Sequence, residues 1–138
     1  MDEKRGEINK DVFKNSCKQD KKFETKFRIW IEKDGKHVLG KGGAEILQAI
    51  KDEGSISAAS KKLGMSYRYV WNYIKKIEHN LGEEVVIRGR GGIKGGGTVL
   101  TDSGERLLSH YIFVNKTICE TLFNLTYSRS REFKNCEQ

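Results

Sequence analysis

The repeat of apolar and polar positions changes several times along the chain, and each change marks an expected element. In Lys26-Phe-Arg-Ile-Trp-Ile-Glu-Lys33 apolar and charged residues alternate, the period-two signature of a half-buried strand. Asp34-Gly35 signals a tight turn and His37-Val-Leu39 returns, which predicts a short N-terminal β-hairpin. Gly40 and Gly42-Gly43 break the pattern ahead of a helix that carries Ala44, Ile46, Leu47 and Ile50 on one side and ends at Gly54. Ser55 to Leu63 reads as a second, short helix with serines to cap its start. Ala59 and Leu63 face inward, and the small Ala59 lets another helix cross closely. Gly64-Met65-Ser66 is the turn, with Met65 plugging the corner and Ser66 capping the next helix. Over Tyr67 to Leu81, at about 100° per residue, Val70, Ile74, Ile77 and Leu81 share one narrow stripe. Arg68, Asn72, Lys75, Lys76 and His79 lie opposite, with Tyr69 at the edge and Trp71 beside the stripe as a core or near-core residue. Gly82 ends this helix. Glu84-Val-Val-Ile-Arg88 and Thr98-Val-Leu100 read as two strands around the loop 89–97, which holds six glycines in nine residues.

From Thr101 onward the period is helical again. Thr101 or Asp102 can cap the start, and Glu105 stands three residues after Asp102 in the spacing of a capping box. Leu107, Tyr111, Val114, Ile118, Leu122 and Leu125 recur every three or four residues, widened by Leu108, Ile112 and Cys119, so a helix is expected over 102–127. Such a helix is roughly 37 Å long, more than a small domain covers, which assigns that stripe to a two-fold dimer. Residues 1–25 mix charge with few apolar side chains and read as a weakly ordered arm, and 128–138 as a polar, frayed tail.

Charge sharpens this picture. The chain of 138 residues carries a net charge of +7, and +5 of it lies between Ser55 and Thr101. Such concentration suits a surface that faces a polyanion. Three cysteines, Cys17, Cys119 and Cys136, are widely spaced, which argues against a disulfide framework or a zinc knuckle. No apolar run reaches the length of a membrane span and the first residues lack a signal peptide's apolar stretch, so the expected setting is cytoplasmic, on the nucleoid, with no membrane partner. No nucleophile–base pair or His/carboxylate cluster has a usable spacing, so an enzyme is not expected, and no cofactor or metal is implied. The loop 89–97 lacks the Gly-Lys-Ser/Thr of a nucleotide-binding loop and joins two strands instead of opening a helix.

Together these elements predict a mainly α fold with small β. It is a winged helix-turn-helix over 26–101 with an N-terminal hairpin and a long C-terminal dimerisation helix. In the 67–81 helix, Arg68 suits bidentate bonding to guanine and Asn72 to adenine, while Lys75 and Lys76 suit phosphates. Ser66, Tyr67 and Tyr69 at the helix start, and Arg88, Arg90 and Lys94 around the wing, complete the expected contacts with double-stranded DNA. A run from Gly54-Ser-Ile-Ser-Ala-Ala-Ser-Lys-Lys-Leu-Gly-Met-Ser-Tyr to Arg-Tyr-Val-Trp-Asn-Tyr-Ile74 resembles the helix-turn-helix of the ModE family of molybdate-responsive regulators. Gly91-Gly-Ile-Lys-Gly-Gly-Gly97 and Val99-Leu-Thr-x-x-Gly-x-x-Leu107 are similar to that family's wing and linker helix. The wider LysR-type regulators share the Gly-Ser opening and the Leu-Thr-x-x-Gly-x-x-Leu element. The resemblance implies a homodimeric DNA-binding regulator. The family's oxyanion-binding barrels follow the linker helix, and no residues up to Gln138 match them, so molybdate sensing is not expected of these residues alone. Two other readings stay open: an oxyanion or small-ligand sensor, and a non-specific architectural nucleic-acid-binding protein. An effector-sensing protein supplied separately stays open as a partner.

Overall fold

A computed structural model describes Phe13 and residues 16–18, 24–89 and 97–135. The chain forms two compact units, one of residues 29–111 and one of residues 1–28 with 112–138.

In the first unit, β3 (Ile31–Lys33) and β4 (Lys36–Leu39) follow β1 (Ser16–Lys18) and β2 (Glu24–Lys26) of the other unit. β3 and β4 form the expected antiparallel hairpin, with positive φ at both Asp34 and Gly35 in the turn. The hairpin is shorter than the alternation in 26–33 predicts. β4 has four residues before Gly40 opens α1 (Lys41–Glu53), and its register reaches back only to Ile31. Residues 27–30 therefore have no ladder, and Trp30 stays half exposed with its indole N–H on Glu32 at 2.8 Å.

α1, α2 (Ile56–Leu63) and α3 (Tyr67–Leu81) pack through the apolar stripes that their periodicity defines. Ile46, Leu47, Ile50, Ala59, Val70, Ile74 and Ile77 are all buried, each large side chain contributing on the order of 1.5–3 kcal/mol relative to exposure. Ser55 caps α2 by accepting from Ala58 N–H at 3.0 Å, and Gly64 closes it at φ 67°, a backbone conformation that resists any β-carbon. The hairpin is fastened to the far end of α3. Lys33 Nζ donates to the Leu81 carbonyl at 2.6 Å, where a cation also complements the helix C-terminus, and Asn80 Nδ2 donates to the His37 carbonyl at 2.8 Å.

β5 (Val86–Arg88) and β6 (Thr98–Leu100) pair antiparallel, Ile87 opposite Val99, and make the foot of the wing. Its seat is backbone-bonded: Thr98 N–H reaches the Gly54 carbonyl at 2.7 Å, and Gly89 N–H reaches the Gly97 carbonyl at 2.7 Å. α4 (Asp102–Asn135) starts directly afterwards. Thr101 is its cap, accepting from Gly104 N–H at 3.0 Å while donating to the Glu84 carbonyl at 2.7 Å. No capping box forms, because with Thr101 as the cap the third helical position is Gly104, and Glu105 reaches across to Lys51 Nζ at 2.7 Å. The start of α4 lies so close to β5 that a β-carbon on Gly104 would stand 2.2 Å from the Val85 carbonyl oxygen.

Three further expectations need correction. The arm 1–25 is not irregular throughout: β1 and β2 pair antiparallel, with Cys17 opposite Thr25. α4 does not end near residue 127 but runs to Asn135. The sequence after Gly104 holds neither glycine nor proline, and polarity alone is no stop signal. Leu107 and Tyr111 are buried within the chain, at 9% and 0% exposure, so they are core residues out of a second chain's reach. Val114, Ile118 and Leu122 are half-buried and Leu125 is exposed. Among the described residues, no helix is long and apolar enough to cross a membrane.

Candidate nucleic-acid interface

α3 is held at its start by Ser66, whose hydroxyl oxygen accepts from Tyr69 N–H at 3.1 Å, leaving the hydroxyl hydrogen free to donate. With Val70, Ile74 and Ile77 buried, the helix must turn its other side to solvent. Tyr67, Arg68, Tyr69, Asn72, Lys75, Lys76 and His79 are all exposed there. The structure therefore brings Ser66, Tyr67, Arg68, Tyr69, Asn72, Lys75 and Lys76 onto one surface. Arg90 and Lys94 lie outside the described residues.

Arg88, the last residue of β5, lies against the start of α3. Its guanidinium carbon lies 4.0 Å from the centroid of the Trp71 indole and 5.8 Å from that of Tyr67, and its Nη2 donates to the Tyr67 hydroxyl. Lys75 Nζ approaches the same indole at 4.5 Å and pairs with Glu78 Oε1 at 3.3 Å. Glu78 Oε2 accepts from Val85 N–H at 3.2 Å, tying the entry of β5 to α3. Trp71 is thus half-buried as a platform for cations, a role that its place beside the apolar stripe does not reveal.

On the other flank of α3, His37, Tyr69, Asn72, Tyr73 and Lys76 rim a groove of about 300 Å³ floored by Val38 and Ile77. The Tyr69 and Tyr73 rings stand 6.1 Å apart at 53°. Burial pushes the Tyr73 phenol up and the neighbouring Tyr69 adds to that, against a backbone hydrogen bond from Gly43 that lowers it. The phenol accordingly stays neutral. Tyr73 and His37 are residues of this surface that the sequence pattern does not single out: Tyr73 falls between the stripe and the polar face, and His37 belongs to the hairpin. Among the described residues, no group of three or more His, Cys, Asp or Glu side chains could hold a metal ion.

Three packed helices, the third turning a basic face outward beside a two-stranded wing, define a winged helix-turn-helix. Residues 43–105 match the bacterial regulatory helix-turn-helix proteins of the lysR family, and they form a LysR-type helix-turn-helix domain. Among curated proteins, the chain is 35% identical over 94 residues to the molybdenum-pterin-binding protein MopB of Rhodobacter capsulatus, covering 68% of this chain and 34% of that protein. It is 40% identical over 67 residues to the DNA-binding transcriptional dual regulator ModE of Escherichia coli K12, covering 48% and 25%. The chain thus spans about a third or less of the length of these relatives. A crystal structure of a CbnR DNA-binding domain in complex with DNA is similar at a TM-score of 0.44 and 24% identity, over 66% of this chain and 93% of that one.

Proposed function

We propose that the chain is a sequence-specific transcription regulator that binds duplex DNA as a homodimer in the cytoplasm. α3 enters the major groove, and the glycine-rich stretch 89–97 lies on the backbone or in the minor groove. One observation carries the reading: Arg68, Asn72, Lys75 and Lys76 are exposed on the side of α3 opposite buried Val70, Ile74 and Ile77. A helix fills the width of a major groove, and this face offers a guanine reader, an adenine reader and phosphate partners together. The name of one relative, the DNA-binding transcriptional dual regulator ModE, agrees with a regulatory role.

Genome-wide mapping of bound DNA, followed by anisotropy titration of the recovered site against random duplex at fixed salt, tests the proposal. The expected preference for the site is roughly 10³-fold or more. Equal affinity for both duplexes would replace this reading with a non-specific architectural one.

A further inference from the structure

We propose that Trp71 is a positioning residue of the DNA-contacting surface: its indole fixes Arg88 as a phosphate clamp on the wing-side flank of α3. The inference rests on the DNA-binding reading above and adds to it a residue that makes no charge contact of its own.

The geometry is specific. Tyr67, Trp71 and Lys75 follow one another at intervals of four, so they share a flank of α3 between its buried stripe and the Arg68/Asn72 face. A helix about 10–12 Å across nearly fills a major groove about 12 Å wide, so its flanks meet the two sugar-phosphate walls and its outermost face meets the bases. Arg88 comes from β5 onto that flank, with its guanidinium carbon 4.0 Å from the indole centroid. A guanidinium has five N–H donors and no acceptor. Among the described residues one donor is taken, by the Tyr67 hydroxyl oxygen, and the side chain remains exposed, which leaves the others open to a phosphate. Because the Tyr67 oxygen is the acceptor in that bond, its own hydrogen is free to donate to the same phosphate.

Stacking matters because an arginine at the foot of a loop otherwise samples many rotamers, and each must be frozen when DNA binds. An indole is the best of the aromatic platforms for a cation. Held there, Arg88 meets the strand in a fixed orientation and belongs to the recognition helix in function, although it comes from the wing in sequence.

The test is the salt dependence of duplex binding in the full chain. Each phosphate neutralised contributes about 0.9 to the slope of log K against log salt. Arg88→Ala is expected to lower the slope by about that amount and the affinity by roughly tenfold or more. Trp71→Leu removes no charge, yet is expected to lower the slope nearly as much, with the double variant little worse than either single one. Trp71→Phe, which keeps a ring, is expected to recover part of the slope. An unchanged slope in Trp71→Leu, or losses that add in the double variant, would overturn the positioning role. If Trp71→Leu does not fold, the Trp30→Phe chain leaves Trp71 as its one indole. Its emission in the free protein is then expected to shift on Arg88→Ala, and an unaltered spectrum overturns the stack. A parent chain that binds no duplex would instead remove the DNA-binding reading itself.

Discussion

Arg68 and Asn72 stand four residues apart on the outermost face of α3, where, among the described residues, neither has a hydrogen-bond or ion-pair partner. Their replacement therefore tests recognition with little effect on folding. Arg68→Ala and Asn72→Ala are each expected to lose about 1–3 kcal/mol on the best site and to relax its sequence preference, as a panel of single-base variants would show. Lys76→Ala, at the rim of the His37–Tyr73 groove, is expected to weaken every duplex alike and to lower the salt slope by about 0.9. Base readers and phosphate partners separate by that difference. Arg68, Asn72, Lys75 and Lys76 were legible because a helical period converts spacing directly into a face. Arg88 on Trp71 was not, since Arg88 lies 17 residues from Trp71 and 21 from Tyr67 in sequence and meets them only once β5 packs beside α3. A tryptophan beside an apolar stripe has the same pattern whether it fills a core or supports a cation.

At the scale of elements, caps and close approaches decide where each segment begins. Ser66→Ala removes the acceptor for Tyr69 N–H and is expected to cost about 1 kcal/mol, read as a lowered midpoint in urea at unchanged m-value. Gly104→Ala is expected to cost more, on the order of 3 kcal/mol, because the new β-carbon collides with the Val85 carbonyl, which is backbone and cannot swing aside. Helix starts were legible in Ser55, Ser66 and Thr101, and helix ends in Gly54, Gly64 and Gly82. Strands were harder to place, because a strand exists only where a partner of the right length is available. β4 is too short to pair all of 26–33. β1 and β2 pair through Ser16–Lys18 and Glu24–Lys26, polar segments with no alternating apolar pattern to announce them. The far end of α4 escaped for the opposite reason, since a polar stretch without breakers looks like a tail and can still be helical.

At the scale of the whole molecule, the proposed reading requires two copies of α3 to come to one site. A two-fold dimer through α4 would present them to half-sites about 34 Å apart, or a multiple of that. The stripe that suggested this dimer divides into two groups. Leu107 and Tyr111 are buried in the chain's own core, so Leu107→Ala is expected to cost about 2–5 kcal/mol of folding stability and to leave association, in the protein that remains folded, unchanged. Val114, Ile118 and Leu122 keep part of their surface and Leu125 most of it, which leaves an apolar edge for a second copy. Ile118→Glu with Leu122→Glu would place carboxylates in that edge, where an interface would have to bury them unpaired. The expected result is a folded monomer by light scattering at micromolar concentration, with helical content close to that of the parent. Each monomer would still hold one half-site, so a single half-site duplex should bind as before while a palindrome loses the gain from linking two sites, commonly 10²-fold or more. A parent chain that is itself monomeric at that concentration would sink the α4 dimer. A double variant that stays dimeric would move the interface to another surface.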